Sequence, residues 1–282
     1  MKELIVIKEQ DLLTFLKENV SGSKNNLKSF LTNELVSVNG KVITQYNYIV
    51  KPNDKVSIGA KKVNSFLGNI KIIYEDKDIL VVDKPSGMLT IATEEDKYSN
   101  NNLYHVLSTY VKKKNSNSKI FIVHRLDKDT SGVILFAKNE KLKNILQDNW
   151  NDIATRIYYA VVYGITKEKE VLKSYLKEDK NLMTYASDDG KLAITEYERI
   201  KNNDKYSLLK INIKTGRRNQ IRVQLKDINH PILGDSKYGK KDKNIKRMML
   251  HASYLELINP INKKKMIFES KLDSYFNRLV EK

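Results

Sequence analysis

The stretch His124-Arg-Leu-Asp127-Lys-Asp129-Thr-Ser-Gly132 sets acids and a base between two apolar, strand-like runs at residues 121–123 and 133–137. A loop carried by strands of a rigid sheet is a good mount for a reactive carboxylate. Turn chemistry alone accounts for Asp129, Thr130, Ser131 and Gly132. It accounts less well for Arg125 and Asp127. A second stretch, Thr215-Gly-Arg-Arg-Asn-Gln-Ile-Arg-Val-Gln-Leu225, brings three arginines to the start of a short helix expected over 215–225. Guanidinium forks beside free backbone N–H groups make an anion site. A solvated helix face accounts for Arg217 or Arg218. Arg222, between Ile221 and Val223, is harder to leave in water, and a half-buried arginine needs an acid partner. A third stretch is Arg156-Ile-Tyr158-Tyr159-Ala160. Adjacent tyrosines on a strand face opposite ways, so one belongs to the core and the other has a ring for stacking on a base.

Other chemistries find little footing. His105, His124, His230 and His251 are far apart with no short ligand spacing, so no metal is expected. His230, before Pro231, reads as a loop residue and His251 as a strand-end or core residue. No phosphate-cradling or dinucleotide glycine fingerprint occurs. Ser131, in what reads as a turn, gives no Ser-His-Asp triad. The chain lacks cysteine, which removes disulfides, thiolate zinc sites and cysteine nucleophiles and suits a reducing compartment. No apolar run approaches the roughly 20 residues of a membrane span, and Met1-Lys2-Glu3-Leu4 has no secretory character. The expected location is the cytoplasm, with no membrane partner.

Among 282 residues, 51 are Lys or Arg and 34 are Asp or Glu, a formal net charge of +17. Such a balance favours polyanions, because Lys and Arg neutralise phosphates and release counterions. Composition drift in a Lys-, Asn- and Ile-rich chain produces the same excess. The split is more telling: 8 arginines stand against 43 lysines. Where lysine is the default base, arginine marks sites needing a planar, permanently charged fork. Arg125, Arg217, Arg218 and Arg222 fall in the first two stretches above.

The elements that position these residues follow from periodicity. Residues 1–60 read as a small α/β unit. It has helices over 11–20 and 24–32, a strand at 36–38 closed by the Asn39-Gly40 turn signal, and another at 55–58. Residues 61–69 read as a linker. The remainder, 70–282, is strand-rich. Strands are expected at 70–74, 79–82, 121–123, 133–137, 157–162, 193–199, 207–213, 248–257 and 266–268. Helices are expected at 103–111, 141–150, 215–225 and 272–280, with a polar loop at 94–102 and a basic loop at 112–118. Helices interrupt the strands without regular alternation, so the fold class is α+β, with a mixed, largely antiparallel sheet flanked by helices and loops.

Taken in order, Asp83-Lys-Pro-Ser-Gly-Met88, the Asp127 stretch, the tyrosine strand, the Arg222 stretch, His230-Pro-Ile-Leu-Gly-Asp-Ser-Lys-Tyr-Gly239 and Leu250-His-Ala-Ser-Tyr-Leu-Glu-Leu257 resemble the RluA-type pseudouridine synthases. The resemblance covers about residues 70–282. Residues 1–60 resemble the small S-four-type RNA-binding domain, through Val36-Ser-Val-Asn-Gly-Lys41 and Lys51-Pro-Asn-Asp-Lys-Val-Ser-Ile58. The resemblance implies a cofactor-free isomerisation of uridine to pseudouridine in RNA. The N-glycosidic bond breaks, the uracil reorients, and C5 joins C1′. It implies that Asp127 is the catalytic aspartate, that Tyr158 is the active-site tyrosine and that Arg222 is the arginine paired with the aspartate. Leu225 would be the apolar residue near the base. Lys84, His124, Arg125, Arg217 and Asn219 are the expected RNA or substrate contacts. Asn219 departs from the family, which often has histidine there; asparagine hydrogen-bonds but carries no charge. Ribosomal large-subunit RNA is the favoured partner, transfer RNA the second, and the oligomeric state is left open with a monomer as default. A catalytically dead RNA-binding or ribosome-assembly factor is the alternative. Glycoside hydrolysis fits worse, since it needs two positioned carboxylates and only Asp129 lies near Asp127.

Overall fold

The computed structural model describes residues 2–32, 35–58, 67–92, 102–240, 242, 244–261 and 263–281. Residues 61–66 of the expected linker and 94–101 of the expected polar loop lie outside these. The chain divides into two units, Met1–Gly68 and Asn69–Lys282.

The first unit contains β1 (Lys2–Ile5), β2 (Gln10–Asp11), α1 (Leu12–Asn19), α2 (Lys24–Thr32), β3 (Val36–Val38), β4 (Lys41–Val42), β5 (Ile49–Val50) and β6 (Lys55–Ile58). Asp11 caps α1 by accepting the Thr14 N–H, so the helix begins where its first orphan donor is satisfied. Leu12, Phe15 and Leu16 of α1 and Leu27 and Leu31 of α2 pack with Val36, Val38 and Val56. Asn39 and Gly40 both take positive φ, 50° and 81°, the turn that joins two strands with native twist. Here β3 pairs β4 across it.

The second unit contains β7 (Lys71–Glu75), β8 (Ile79–Lys84), α3 (Leu103–Lys114), β9 (Phe121–Ile122), β10 (Ser131–Ala137), α4 (Glu140–Asp148), α5 (Trp150–Ile153), β11 (Ala154–Tyr163), β12 (Lys169–Glu178), β13 (Thr184–Ala186), β14 (Lys191–Asn202), β15 (Tyr206–Ile213), α6 (Gln220–Asp227), β16 (Leu250–Ile258), β17 (Lys265–Glu269) and α7 (Ser274–Arg278). Eleven strands form one sheet in the order β13-β12-β14-β15-β11-β16-β10-β8-β7, with β17 beside β16 and β9 beside β10. The β10–β16 pair is parallel and the others are antiparallel, so the α+β expectation holds. Leu142 and Leu146 of α4 and Trp150 of α5 pack on Ile79, Val81, Val133, Leu135, Leu255 and Leu257 of the central strands.

Local differences from the sequence reading have physical causes. Helix α3 continues through Lys112, Lys113 and Lys114, expected as loop. Lysine is a good helix former, and cations in the last turn suit the helix dipole. Lys114 also pairs with Glu75 at 2.8 Å. Strands β12 and β13 were not expected: in β12 only Leu172 and Leu176 are buried, and lysines and glutamates blur the alternation. Helix α6 starts at Gln220, not Thr215, because Asn219 takes a left-handed φ of 51°. Strand β10 starts at Ser131, so Ser131 and Gly132 are strand residues and not a turn. Gly132 has φ +116°, and a Cβ there would fall 2.1 Å from the Ala252 carbonyl oxygen. Only glycine lets β10 come this close to β16.

Candidate active site

Asp127 sits in the loop between β9 and β10, and residues 84–90 grip that loop carbonyl by carbonyl. The Leu126 carbonyl accepts the Thr90 hydroxyl at 2.7 Å. The Lys128 carbonyl accepts Lys84 Nζ and the Gly87 N–H, both at 2.9 Å. The Asp129 carbonyl accepts the Ser86 hydroxyl at 2.7 Å, and the Asp127 carbonyl accepts the Thr130 N–H at 3.2 Å. Backbone groups fixed in this way hold the side chain without further cost at the moment of reaction.

Arg222 reaches Asp127 from α6. Its Nη1 donates to Asp127 Oδ2 at 2.9 Å and to Asn219 Oδ1 at 3.0 Å. Nε and Nη2 take both oxygens of Asp235, at 2.7 and 2.8 Å. Asp235 also accepts the backbone N–H groups of Lys237 and Tyr238. Burial pushes the Asp235 carboxyl up, but Arg222 and these N–H groups outweigh it and hold it below its ordinary value. Arg222, although buried, is pushed up by its two carboxylates and stays charged. Asp127 Oδ1 accepts no hydrogen bond among the described residues, so Arg222 orients the carboxylate through one oxygen and leaves the other open.

These groups open on a cavity of about 410 Å³ lined by Asp127, Tyr158, Asn219, Ile221, Arg222 and Leu250, among others. Tyr158, on β11, is 9% exposed. Burial, helped by the Asp127 charge and opposed by Arg156, pushes its phenol up to about 12. It is therefore a neutral donor at ordinary pH. Tyr159, on the other face of the strand, does not line the cavity.

The remaining expected contacts divide. Arg125 is exposed and lines the cavity. Arg217 also lines it, with Nε donating to the Leu192 carbonyl at 2.9 Å. Asn219 is buried, its amide donating to the Tyr238 hydroxyl at 3.1 Å. It belongs to the Arg222 network. His124 lines the cavity, but its ring stacks on Trp150 with centroids 4.6 Å apart and its Nε2 accepts the Leu135 N–H. Two expectations are corrected. Lys84 is fully buried, and its ammonium donates to the Pro85, Met88 and Lys128 carbonyls. It braces the Asp127 loop and is out of reach of RNA. Leu225 is also fully buried and does not line the cavity. Ile221, one helical turn earlier on the same face, takes that place.

Asp235 was the residue missed. It lay inside the quoted 230–239 stretch as its one carboxylate, and the demand of Arg222 for an acid was the signal. Ser131, expected in a turn, and His251, expected at a strand end or in the core, meet: Oγ lies 2.8 Å from Nδ1. His251 Nε2 faces the Ser270 carbonyl and Arg247 Nη2 donates to the same Oγ. The hydroxyl is thus held between two partners in a buried brace across β10 and β16. No group of His, Asp and Glu suited to a metal occurs among the described residues.

The family profile described as RNA pseudouridylate synthase matches residues 78–227, which hold Asp127, Tyr158 and Arg222. An uncharacterized RNA pseudouridine synthase of Mycoplasma pneumoniae is 32% identical, over 95% of this chain and 91% of its own length. The chain belongs to the RluA-type pseudouridine synthases. The ribosomal large subunit pseudouridine synthase C of Buchnera aphidicola is 32% identical to this synthase, over 87% of this chain and 84% of its own. The structure of human RNA pseudouridylate synthase domain containing 4 shares the fold, with TM-score 0.61 at 21% identity over 73% of this chain and 90% of that one. The synthase is an isomerase acting on uridine in RNA.

Proposed function

We propose that this pseudouridine synthase modifies large-subunit ribosomal RNA and that Asp127, Tyr158 and Arg222 carry its chemistry. The observation that supports this most is the 2.9 Å contact between Arg222 Nη1 and Asp127 Oδ2 beside the Tyr158 ring in one cavity. The target uridine leaves its stack, at a cost of a few kcal/mol. Stacking on Tyr158 returns about 1–3 kcal/mol. Asp127 Oδ1 meets the ribose at C1′ or at the C2′ proton, and Arg222 aims the carboxylate. The N1–C1′ bond breaks, the uracil turns over, C5 bonds to C1′, and the proton on C5 is lost as N1 gains one. The Tyr158 hydroxyl, in the same cavity lining as Asp127, would take part in that proton movement.

Arg125 and Arg217 would meet the phosphates around the target. The first unit fits an S-four-type RNA-binding module: two short helices on a small sheet, with the Lys28 ammonium over the Tyr46 ring at 5.1 Å. Ribosomal RNA is preferred to transfer RNA because a relative matched over 84% of its length is named for the large ribosomal subunit. No helix among the described residues is long and apolar enough to cross a membrane. Pseudouridine mapping of total RNA from cells with and without the gene tests the substrate. At least one large-subunit uridine should lose its modification in the deletion and regain it with the wild-type gene but not with Asp127→Ala. Loss confined to transfer RNA would replace the substrate assignment.

A further inference from the structure

Arg156 lines the same cavity and has no carboxylate partner among the described residues. It is 5% exposed and stands on β11 two residues before Tyr158, so both side chains share one face of the strand. Its Nη2 donates to Asn151 Oδ1 at 3.0 Å and reaches the Ile213 and Lys214 carbonyls at 3.4 Å. Its Nε is buried without a partner, and its Nη1 makes no hydrogen bond among the described residues. One N–H on Nε and two on Nη1 are therefore unused, out of the five a guanidinium carries. On the Nη1 side the chain runs past as Gly216, where a Cβ would sit 3.0 Å from that nitrogen.

The contrast with Arg222 is informative. That buried guanidinium is neutralised by two carboxylates and uses all three nitrogens. Burying a charge with no counter-charge is costly, and burial already weakens the hold of Arg156 on its proton. Arginine cannot escape the cost by deprotonating in the ordinary range. Arg125 and Arg217 line the cavity too, with no carboxylate partner among the described residues, while Arg218 is paired with Glu178 at 2.9 Å. The cavity lining thus carries cations without carboxylate partners among the described residues before substrate arrives.

We propose that Arg156 is a phosphate-binding residue, holding a phosphodiester of the nucleotide seated against Tyr158. This rests on the reading that the target uridine enters this cavity. A planar fork with free N–H groups on two nitrogens matches two oxygens of one phosphate. Residues two apart on a strand are about 6.6 Å apart, enough to place a base over Tyr158 and its phosphate at Arg156. The uncompensated charge then becomes a register device: the nucleotide that neutralises Arg156 is the one whose ribose faces Asp127.

The test uses the full chain with two probes, uridine and uridine 3′,5′-bisphosphate, titrated by calorimetry or NMR. Wild type and Asp127→Asn should both bind the bisphosphate about tenfold more tightly than uridine, the scale of a charge-assisted contact. Arg156→Gln should bring the two probes within about twofold, with uridine affinity unchanged, and Arg156→Lys should fall between. Thermal unfolding confirms that each variant is folded, and Arg156→Lys carries the comparison if Arg156→Gln is not. An unchanged preference in the Arg156 variants overturns the proposal, as does a wild type that does not prefer the bisphosphate. Equal loss for both probes would mean that the guanidinium reads the base and also overturns it. Because neither probe requires turnover, an Asp127→Asn variant that stayed active would refute the catalytic assignment while leaving this result intact.

Discussion

Arg222 and Asp235 meet as a two-pronged ion pair, Nε to Oδ2 at 2.7 Å and Nη2 to Oδ1 at 2.8 Å, which leaves Nη1 for Asp127 and Asn219. The fork is divided by function: one edge is anchored in the fold and the remaining nitrogen aims the carboxylate. Lysine has no such division to offer. Arg222→Lys should fold yet lose about 10–100-fold in single-turnover rate, as expected for one charge-assisted hydrogen bond worth about 1.5–3 kcal/mol. Rapid-quench kinetics at saturating enzyme would check this; a rate within about twofold of wild type would show that a point charge suffices.

Asp235 lies behind Arg222 and is 1% exposed. Removing its charge leaves a buried guanidinium with one partner, a change that costs about 3–5 kcal/mol in comparable buried pairs. Asp235→Asn should therefore be destabilised on that scale and lose activity through misaimed Arg222. Urea unfolding at neutral pH measures the first effect. A variant as stable as wild type would mean that the pair contributes position only.

His124 should make stability fall in mild acid. Burial, with Arg156 nearby, holds its imidazole down from 6.5 to about 3. The neutral ring is the form that accepts the Leu135 N–H and stacks on Trp150. A folded-state value below the unfolded one means that the unfolded chain binds the extra proton first. The stabilisation is therefore complete above pH 6.5 and is lost as pH falls from there towards 3. Unfolding free energies of wild type and His124→Gln, compared at a series of pH values, should converge as pH falls through this window. A constant difference would place the effect elsewhere.

Tyr158 combines a ring and a neutral hydroxyl. Tyr158→Ala should weaken RNA binding by about 5–150-fold, the equivalent of 1–3 kcal/mol of stacking. Tyr158→Phe should keep that affinity while its single-turnover rate drops by about tenfold or more, since a positioned proton-transfer group contributes at least that much. Filter binding and quench kinetics on the same RNA separate the two. Equal rates for Tyr158→Phe and wild type would confine the residue to stacking.

Residue types singled out the stretches that hold Asp127, Tyr158 and Arg222, the family resemblance supplied the roles, and the structure brings the three side chains to one cavity. Arg222 between two apolar neighbours required an acid, and the fold supplies two. What the sequence withheld was tertiary. Nothing local distinguishes Lys84 from the other lysines; only its three carbonyl acceptors identify it as a brace. Leu225 and Ile221 share a helix face, and which of them meets the cavity depends on how α6 docks. The expected start of α6 at Thr215 failed because Asn219 adopts a left-handed conformation and so delays the helix until Gln220. That same conformation accompanies the contact of Asn219 with Arg222, a position where composition alone suggested only a neutral replacement for histidine.

Asp127, gripped at its loop carbonyls and aimed by Arg222, is proposed as the group that acts on the ribose. Tritium release from 5-tritiated uridine in large-subunit RNA by wild type and Asp127→Asn, at equal concentrations of folded protein, tests it most directly. Wild type should release tritium in proportion to the modified sites and Asp127→Asn should not rise above the enzyme-free control. Release by Asp127→Asn at the wild-type rate would show that another group acts on the ribose.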